Sequence, residues 1–384
     1  MSHQHPALGT LDELHDAARR ATGLDDFGDD DYREGLTVLL HSFEHEADLT
    51  EHGRRIARRM ILGALTTRLL SEEGFKRHPE HVDVPIERPT FLSGLTRTGT
   101  TALHRLLSAD PGHQGLEMWL AEAPQPRPAR QTWADHPDFV RSDTFYRAAL
   151  AKDADLMKVH FLGAAEVEEC WRLLQQCLRS VSFECVAYLP SYSAWLAEQD
   201  WTSTYARHKK NLQLIGLNDP NRRWVLKNPS HVFAIDEIMT VYPDALIVRT
   251  FRDPETSMAS TFSLAEQGSY GMSRAFDRPT IGRSQLELWA RGNSRFHAAR
   301  ERYPAEQFLD VDYRSFVADP LGTVERLYAG FSLPFTDEAR RAVARAHEES
   351  LAEHRRPAHQ YALADFQISA EEVAERFAAG SPVA

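Results

Sequence analysis

The stretch Thr90-Phe91-Leu92-Ser93-Gly94-Leu95-Thr96-Arg97-Thr98-Gly99-Thr100-Thr101 constrains the fold more than any other part of the chain. A short apolar run enters a loop with two glycines five positions apart. The loop opens into a segment with helical periodicity at Leu103, Leu106 and Leu107, which stops at Asp110-Pro111-Gly112. A strand that turns through such a loop into a helix aims backbone N–H groups and a helix N-terminus at one spot, and that spot suits an anion. The spacing is that of a nucleoside-triphosphate loop, yet Thr100 stands where that loop keeps its lysine. Without the lysine nothing in the loop reaches the bridge between β- and γ-phosphates. The cation sits earlier, at Arg97, and a guanidinium can engage two oxygens of a compact diester-like anion.

Further strands are expected at Trp224-Val225-Leu226, at Ala245 to Val248 continuing to Thr250-Phe251, and at Phe308 to Val311, all short, apolar and separated by helical segments. Residues 1–80 read as helical, with apolar positions three and four apart from Leu36 to Leu70 until His78, Pro79 and Pro85 break the pattern. Helices are expected within 138–216, over 284–300 and over 320–331, and the proline-rich run Pro124 to Pro128 is either a lid or a packed connection. The pattern predicts an α/β fold: a P-loop-like doubly wound parallel sheet flanked by helices over residues 86–384, preceded by a helical N-terminal extension over 1–85.

Composition narrows the function classes. A net charge of −12 argues against non-specific nucleic-acid binding, which needs basic surface, but it leaves room for a few local cations around an anionic ligand. No apolar run approaches the roughly 18 residues of a membrane span, and the start of the chain has no basic-then-apolar leader, so a cytoplasmic protein is expected. Cys170, Cys177 and Cys185 fit a reduced compartment as buried thiols, and no metal-ligand spacing is present.

A second cluster, Val248-Arg249-Thr250-Phe251-Arg252-Asp253-Pro254, delivers a guanidinium to the carboxyl edge of the sheet. If a helix starts near Pro254, Ser260 returns to that edge, and Arg252 with Ser260 can bracket a terminal phosphate. A third run, Trp224-Val225-Leu226-Lys227-Asn228-Pro229-Ser230-His231, puts the ammonium of Lys227 directly after a strand.

Taken in order, these three motifs resemble the PAPS-dependent sulfotransferases. The first is similar to their 5′-phosphosulfate loop, with Arg in the loop as in the tyrosylprotein branch. Arg252 and Ser260 match the family's 3′-phosphate pair in type and spacing, and the third run resembles the LKSPxH segment of bacterial sulfotransferase-like proteins. The likeness covers residues 89 to 265 and continues more weakly to the turn at Tyr361 to Phe366.

It implies a donor, 3′-phosphoadenosine 5′-phosphosulfate, held by Arg97, Thr98, Gly99, Thr100, Thr101, Arg252 and Ser260, and a product, adenosine 3′,5′-bisphosphate. Lys227 and Arg97 are then expected to stabilise the departing oxygen. Glu117 or His231 is expected to take the proton of a hydroxylated small-molecule, lipid or glycan acceptor, with His104 and His160 as weaker candidates. A small-molecule kinase with a degenerate loop and a non-catalytic nucleotide-binding module are the other readings. Oligomeric state stays open, a homodimer included.

Overall fold

The computed structural model describes residues 8–152, 163–269, 271–353 and 361–378. Its centre is a five-stranded parallel sheet in the order β2-β3-β1-β4-β5, formed by β1 (Thr90–Gly94), β2 (His113–Gln114), β3 (Arg223–Lys227), β4 (Leu246–Phe251) and β5 (Phe308–Asp312). β1 pairs with β3 on one side and β4 on the other, in the registers Leu92↔Lys227 and Gly94↔Thr250. The expected α/β sheet is present, with strand β2 added at its edge. Because every pair is parallel, the carboxyl ends of β1, β3 and β4 lie along one edge, at the point where the chain switches sides.

Alternation along the strands divides the interior in two. Leu92, Val225, Leu246 and Val248 pack beneath helix α4 (Thr100–Ser108) and the helices of residues 313–353. Phe91, Trp224, Leu226, Ile247 and Phe308 face a thicker helical layer on the other side. Strands covered on both faces read as continuous apolar runs, which is why β1, β3 and β4 were visible without an alternating pattern.

The N-terminal region forms α1 (Leu11–Thr22), α2 (Arg33–His45) and α3 (Glu51–Arg77). The single periodic run from Leu36 to Leu70 is thus two helices; Thr50 caps the second by accepting from the N–H of Gly53. Leu14, Leu36 and Leu65 belong to the same apolar core as Phe91 and Trp224. Arg68 of α3 ties this region down: fully buried, it donates to the carbonyls of Phe27 (2.6 Å), Asp29 (2.5 Å) and Gln176 (3.1 Å), and pairs with Asp31 at 2.8 Å. Its guanidinium also lies 4.3 Å from the Tyr32 ring. The proline-rich run is packed, not a free lid: Arg127 is buried and its N–H donates to Ile215 O at 3.0 Å.

Several imidazoles are buried uncharged. His208 and His231 surround Phe91 with Tyr242, their Nδ1 atoms at 2.9 Å from Tyr242 Oη and 2.7 Å from Tyr205 Oη. Burial pushes His208 down to about 3 and holds His231 well below its ordinary value, with His208 adding a smaller effect. His104 is also brought down to about 3, by burial first and the charge of Lys227 second.

Two outcomes are expected. Arg68→Met removes a buried cation whose partners stay behind, and should cost about 3–5 kcal/mol in urea unfolding; a loss under about 1 kcal/mol would contradict this role. On acidification the unfolded chain takes up protons near pH 6.5, whereas these imidazoles resist until far lower. Their stabilisation is complete above about pH 6.5 and falls towards pH 3, by up to about 1.4 kcal/mol per pH unit for each group. Urea midpoints should therefore drop between about pH 7 and pH 5, and a flat profile there would refute it.

Candidate active site

The loop after β1 is built from three residues with positive φ: Gly94 (140°), Arg97 (67°) and Gly99 (88°). Gly94 has no alternative, since a Cβ there would lie 2.2 Å from the carbonyl oxygen of Thr250. Gly99 is the N-cap of α4 and offers no side chain to the first-turn amides, which leaves them directed at the loop's concavity. Thr98 serves as a brace: its hydroxyl donates to Leu95 O at 2.7 Å and meets Thr250 Oγ1 at 2.5 Å. Thr96 is similarly joined to Thr261 of the helix Pro254–Ser269. Arg97 is exposed and makes no ion pair among the described residues.

Lys227 closes β3 on the same face as Val225, so its side chain runs toward α4. It is 1% exposed, donates to Thr101 Oγ1 at 3.2 Å and forms an ion pair with Glu169 at 2.5 Å. Glu169 reaches this position through backbone pairing. Glu168 N donates to Leu116 O, Met118 N to Glu166 O, and Cys170 N to Lys227 O, so residues 166–170 are strung between the segment 116–118 and the end of β3. One step away, His104 donates from Nε2 to Val225 O at 3.1 Å, while its buried Nδ1 has no partner among the described residues.

The residues expected to act as base are engaged by other side chains. The carboxylate of Glu117 is gripped by Arg127 through Nε (3.1 Å) and Nη2 (3.0 Å), and the same guanidinium holds Gln114, Asp219 and the carbonyl of Gly115. None of these partners belongs to the loop or to Lys227. His231 packs on Phe91 and Tyr205, on the opposite face of the sheet from α4. His160 falls outside the described residues. The pairing of Glu169 with Lys227 could not be read locally, because Glu168-Glu169-Cys170 carries no signal of its own; only the ladder to residues 116–118 and β3 brings it there.

Arg252 follows β4 immediately, half-buried, with its guanidinium 4.3 Å from the ring of Tyr313. The next helix does start at Pro254 and carries Ser260, buried, whose Oγ accepts from the hydroxyl of Tyr361 at 2.6 Å. Parallel pairing therefore brings Arg97, Lys227 and Arg252 to one edge of the sheet, beside the N-terminus of α4.

Comparison with known proteins agrees with this fold. The profile of the sulfotransferase family matches residues 89–337, which include the loop, Glu169, Lys227, Arg252 and Ser260. The chain is 25% identical over 256 residues to the omega-hydroxy-beta-dihydromenaquinone-9 sulfotransferase Stf3 of Mycobacterium bovis, and equally to that of Mycobacterium tuberculosis. Those matches cover 64% of this chain and 63% of the length of these curated relatives. Among solved structures, sulfotransferase STF1 from Mycobacterium tuberculosis superposes with a TM-score of 0.91 at 52% identity, over 97% of this chain and 99% of that one. Sulfotransferase STF9 from Mycobacterium avium gives a TM-score of 0.87 at 27% identity, over 98% and 97%. The motifs, the sheet that aligns them and these likenesses lead to one conclusion: the chain belongs to the sulfotransferase family.

Proposed function

We propose that the chain transfers a sulfuryl group from 3′-phosphoadenosine 5′-phosphosulfate to a hydroxyl of a lipid or other small acceptor. The observation that carries this reading is the Lys227–Glu169 pair beside Thr101, at the first turn of α4. A donor with anions at both ends fits the edge: Arg97 and the α4 amides suit the phosphosulfate end, Arg252 and Ser260 the 3′-phosphate end. The open glycine N-cap fits the same demand, because a side-chain cap there would compete with the ligand.

Sulfuryl transfer resembles phosphoryl transfer in being a loose in-line displacement, with negative charge growing on the leaving oxygen. The paired side chains divide the proton and charge work. Glu169 accepts the acceptor's hydroxyl proton as that oxygen bonds to sulfur, and the sulfur–oxygen bridge breaks with its electrons going to the 5′-phosphate. On protonation Glu169 loses its hold on Lys227, and the ammonium becomes free to follow the leaving oxygen. The charge is handed on without a bare cation ever standing in a dry site. No residue supplies the lysine a triphosphate needs, since Thr100 occupies that position. A hydroxylated lipid is the acceptor class suggested by the activity for which the Stf3 relatives are named.

Calorimetry tests the donor. The protein should bind adenosine 3′,5′-bisphosphate without Mg²⁺ and prefer it to AMP by more than about tenfold; a requirement for Mg·ATP would point to the kinase reading. Single-turnover rates per folded molecule test the chemistry. Lys227→Ala should slow the step by roughly 10² to 10³ with little change in donor affinity. Glu169→Gln, which preserves shape, should slow it by about 10² to 10⁴. Glu117→Gln should cost stability and leave the rate within about threefold. A large rate loss in the Glu117 variant, with Glu169→Gln fully active, would reverse the assignment of the base.

A further inference from the structure

The outward face of α2 carries two histidines that the sulfuryl-transfer site does not use. Leu36, Leu39, Ser42 and Phe43 turn inward and are buried, so Thr37, His41 and His45 fall on one exposed stripe of the helix. His41 and His45 are four positions apart, and residues so spaced are neighbours on a helix surface. Their ring centroids stand 4.6 Å apart, with the planes inclined at 52°. Neither ring hydrogen-bonds to another described residue, and a neutral imidazole always keeps one nitrogen lone pair to offer a ligand.

Two histidines at this spacing are how a single helix grips a transition metal. With metal–nitrogen bonds of about 2.0–2.1 Å, and an angle at the metal between square and tetrahedral, two bound imidazoles lie with centroids about 4.5–5 Å apart. The observed separation falls inside that window. One ion can therefore be reached by turning the rings about their side-chain bonds, with the helix backbone left in place. A second feature favours a cation here: His45 is the last residue of α2, where the aligned peptide dipoles present their negative end. The adjacent carboxylate, Glu46, is committed elsewhere, accepting from Ser42 Oγ and from the N–H of Ser191 (3.1 Å). Among the described residues no third His, Cys, Asp or Glu completes a cluster, which leaves the remaining coordination positions to water. Two imidazoles and water suit a borderline ion such as Zn²⁺ or Cu²⁺; Mg²⁺ and Ca²⁺ take oxygen ligands instead.

We propose that His41 and His45 form a surface site for a borderline divalent transition-metal ion. The site lies outside residues 89–337, the range matched by the family profile, and does not rest on the donor reading. The ion staples the last turn of α2, and that turn holds the helix Pro190–Ala197. Tyr192 N donates to Ser42 Oγ at 3.0 Å, and Ser191 reaches Glu46 through both its N–H and its hydroxyl. Because the unfolded chain lacks the fixed spacing of the helix, the ion binds the folded chain better and stabilises it by mass action.

Calorimetric titration with Zn²⁺, Cu²⁺ and Mg²⁺ tests the site, with urea unfolding followed in parallel. His3 and His5 are replaced by Gln in every protein compared, so that they supply no competing ligand. One Zn²⁺ or Cu²⁺ per chain should bind at the pair, Cu²⁺ the more tightly, and Mg²⁺ should not. His41→Gln and His45→Gln should each weaken that binding about tenfold or more, because losing either ring ends chelation. Both rings are exposed, so either variant should fold as its parent does. Zn²⁺ should raise the urea midpoint of the parent and of neither variant. Absence of Zn²⁺ and Cu²⁺ binding in the parent would overturn the proposal. So would full affinity in either single variant, which would place the metal on other groups, or Mg²⁺ binding as tight as that of Zn²⁺.

Discussion

The site depends on the seating of β1 between β3 and β4. Its register sets Leu92 beside Lys227 and Gly94 beside Thr250, so three strands release their chains at one level. A slip of one residue would turn Lys227 away from α4 and into the opposite helical layer, since side chains alternate between faces. The approach of Gly94 to the Thr250 carbonyl fixes the height at which the loop leaves the sheet, and Thr98 fastens the loop to the same threonine through its hydroxyl. Loop, lysine and arginine share a single reference frame.

Within that frame the charges are kept apart by environment. Arg97 is exposed, Arg252 lies against an aromatic ring, and Lys227 is buried with a carboxylate to match it. Beside Lys227, His104 is held uncharged by burial first and by Lys227 itself second. A chain with a net charge of −12 can therefore present a cationic edge without a cationic surface.

What could be read from the sequence was local. The apolar runs of β1, β3, β4 and β5, the two glycines, and the helix starting at Pro254 each carry their signal within a few residues. β2 has only two residues and owes its existence to pairing with β3, so nothing in its composition announces it. Glu117 and Glu169 illustrate the boundary between the two kinds of information. The family resemblance made Glu117 a candidate, but Arg127, ten residues on, takes its carboxylate; Glu169 reaches Lys227 only through contacts between segments about 50 to 110 positions apart. The link from Tyr361 to Ser260 belongs to the same class, as does the division of the N-terminal periodic run at residues 46–50 into two helices.

Arg97 occupies a left-handed backbone conformation, φ 67°, that disfavours side chains by roughly 1–2 kcal/mol. Glycine would adopt it without strain. A search for thermostabilised variants that scores only the folded state would accordingly favour glycine at this position, and would reward the loss of the loop's one arginine. The most heat-resistant descendants of this chain should therefore be screened for the loop cation before they are kept, because here an easier backbone and the proposed anion site pull the residue in opposite directions.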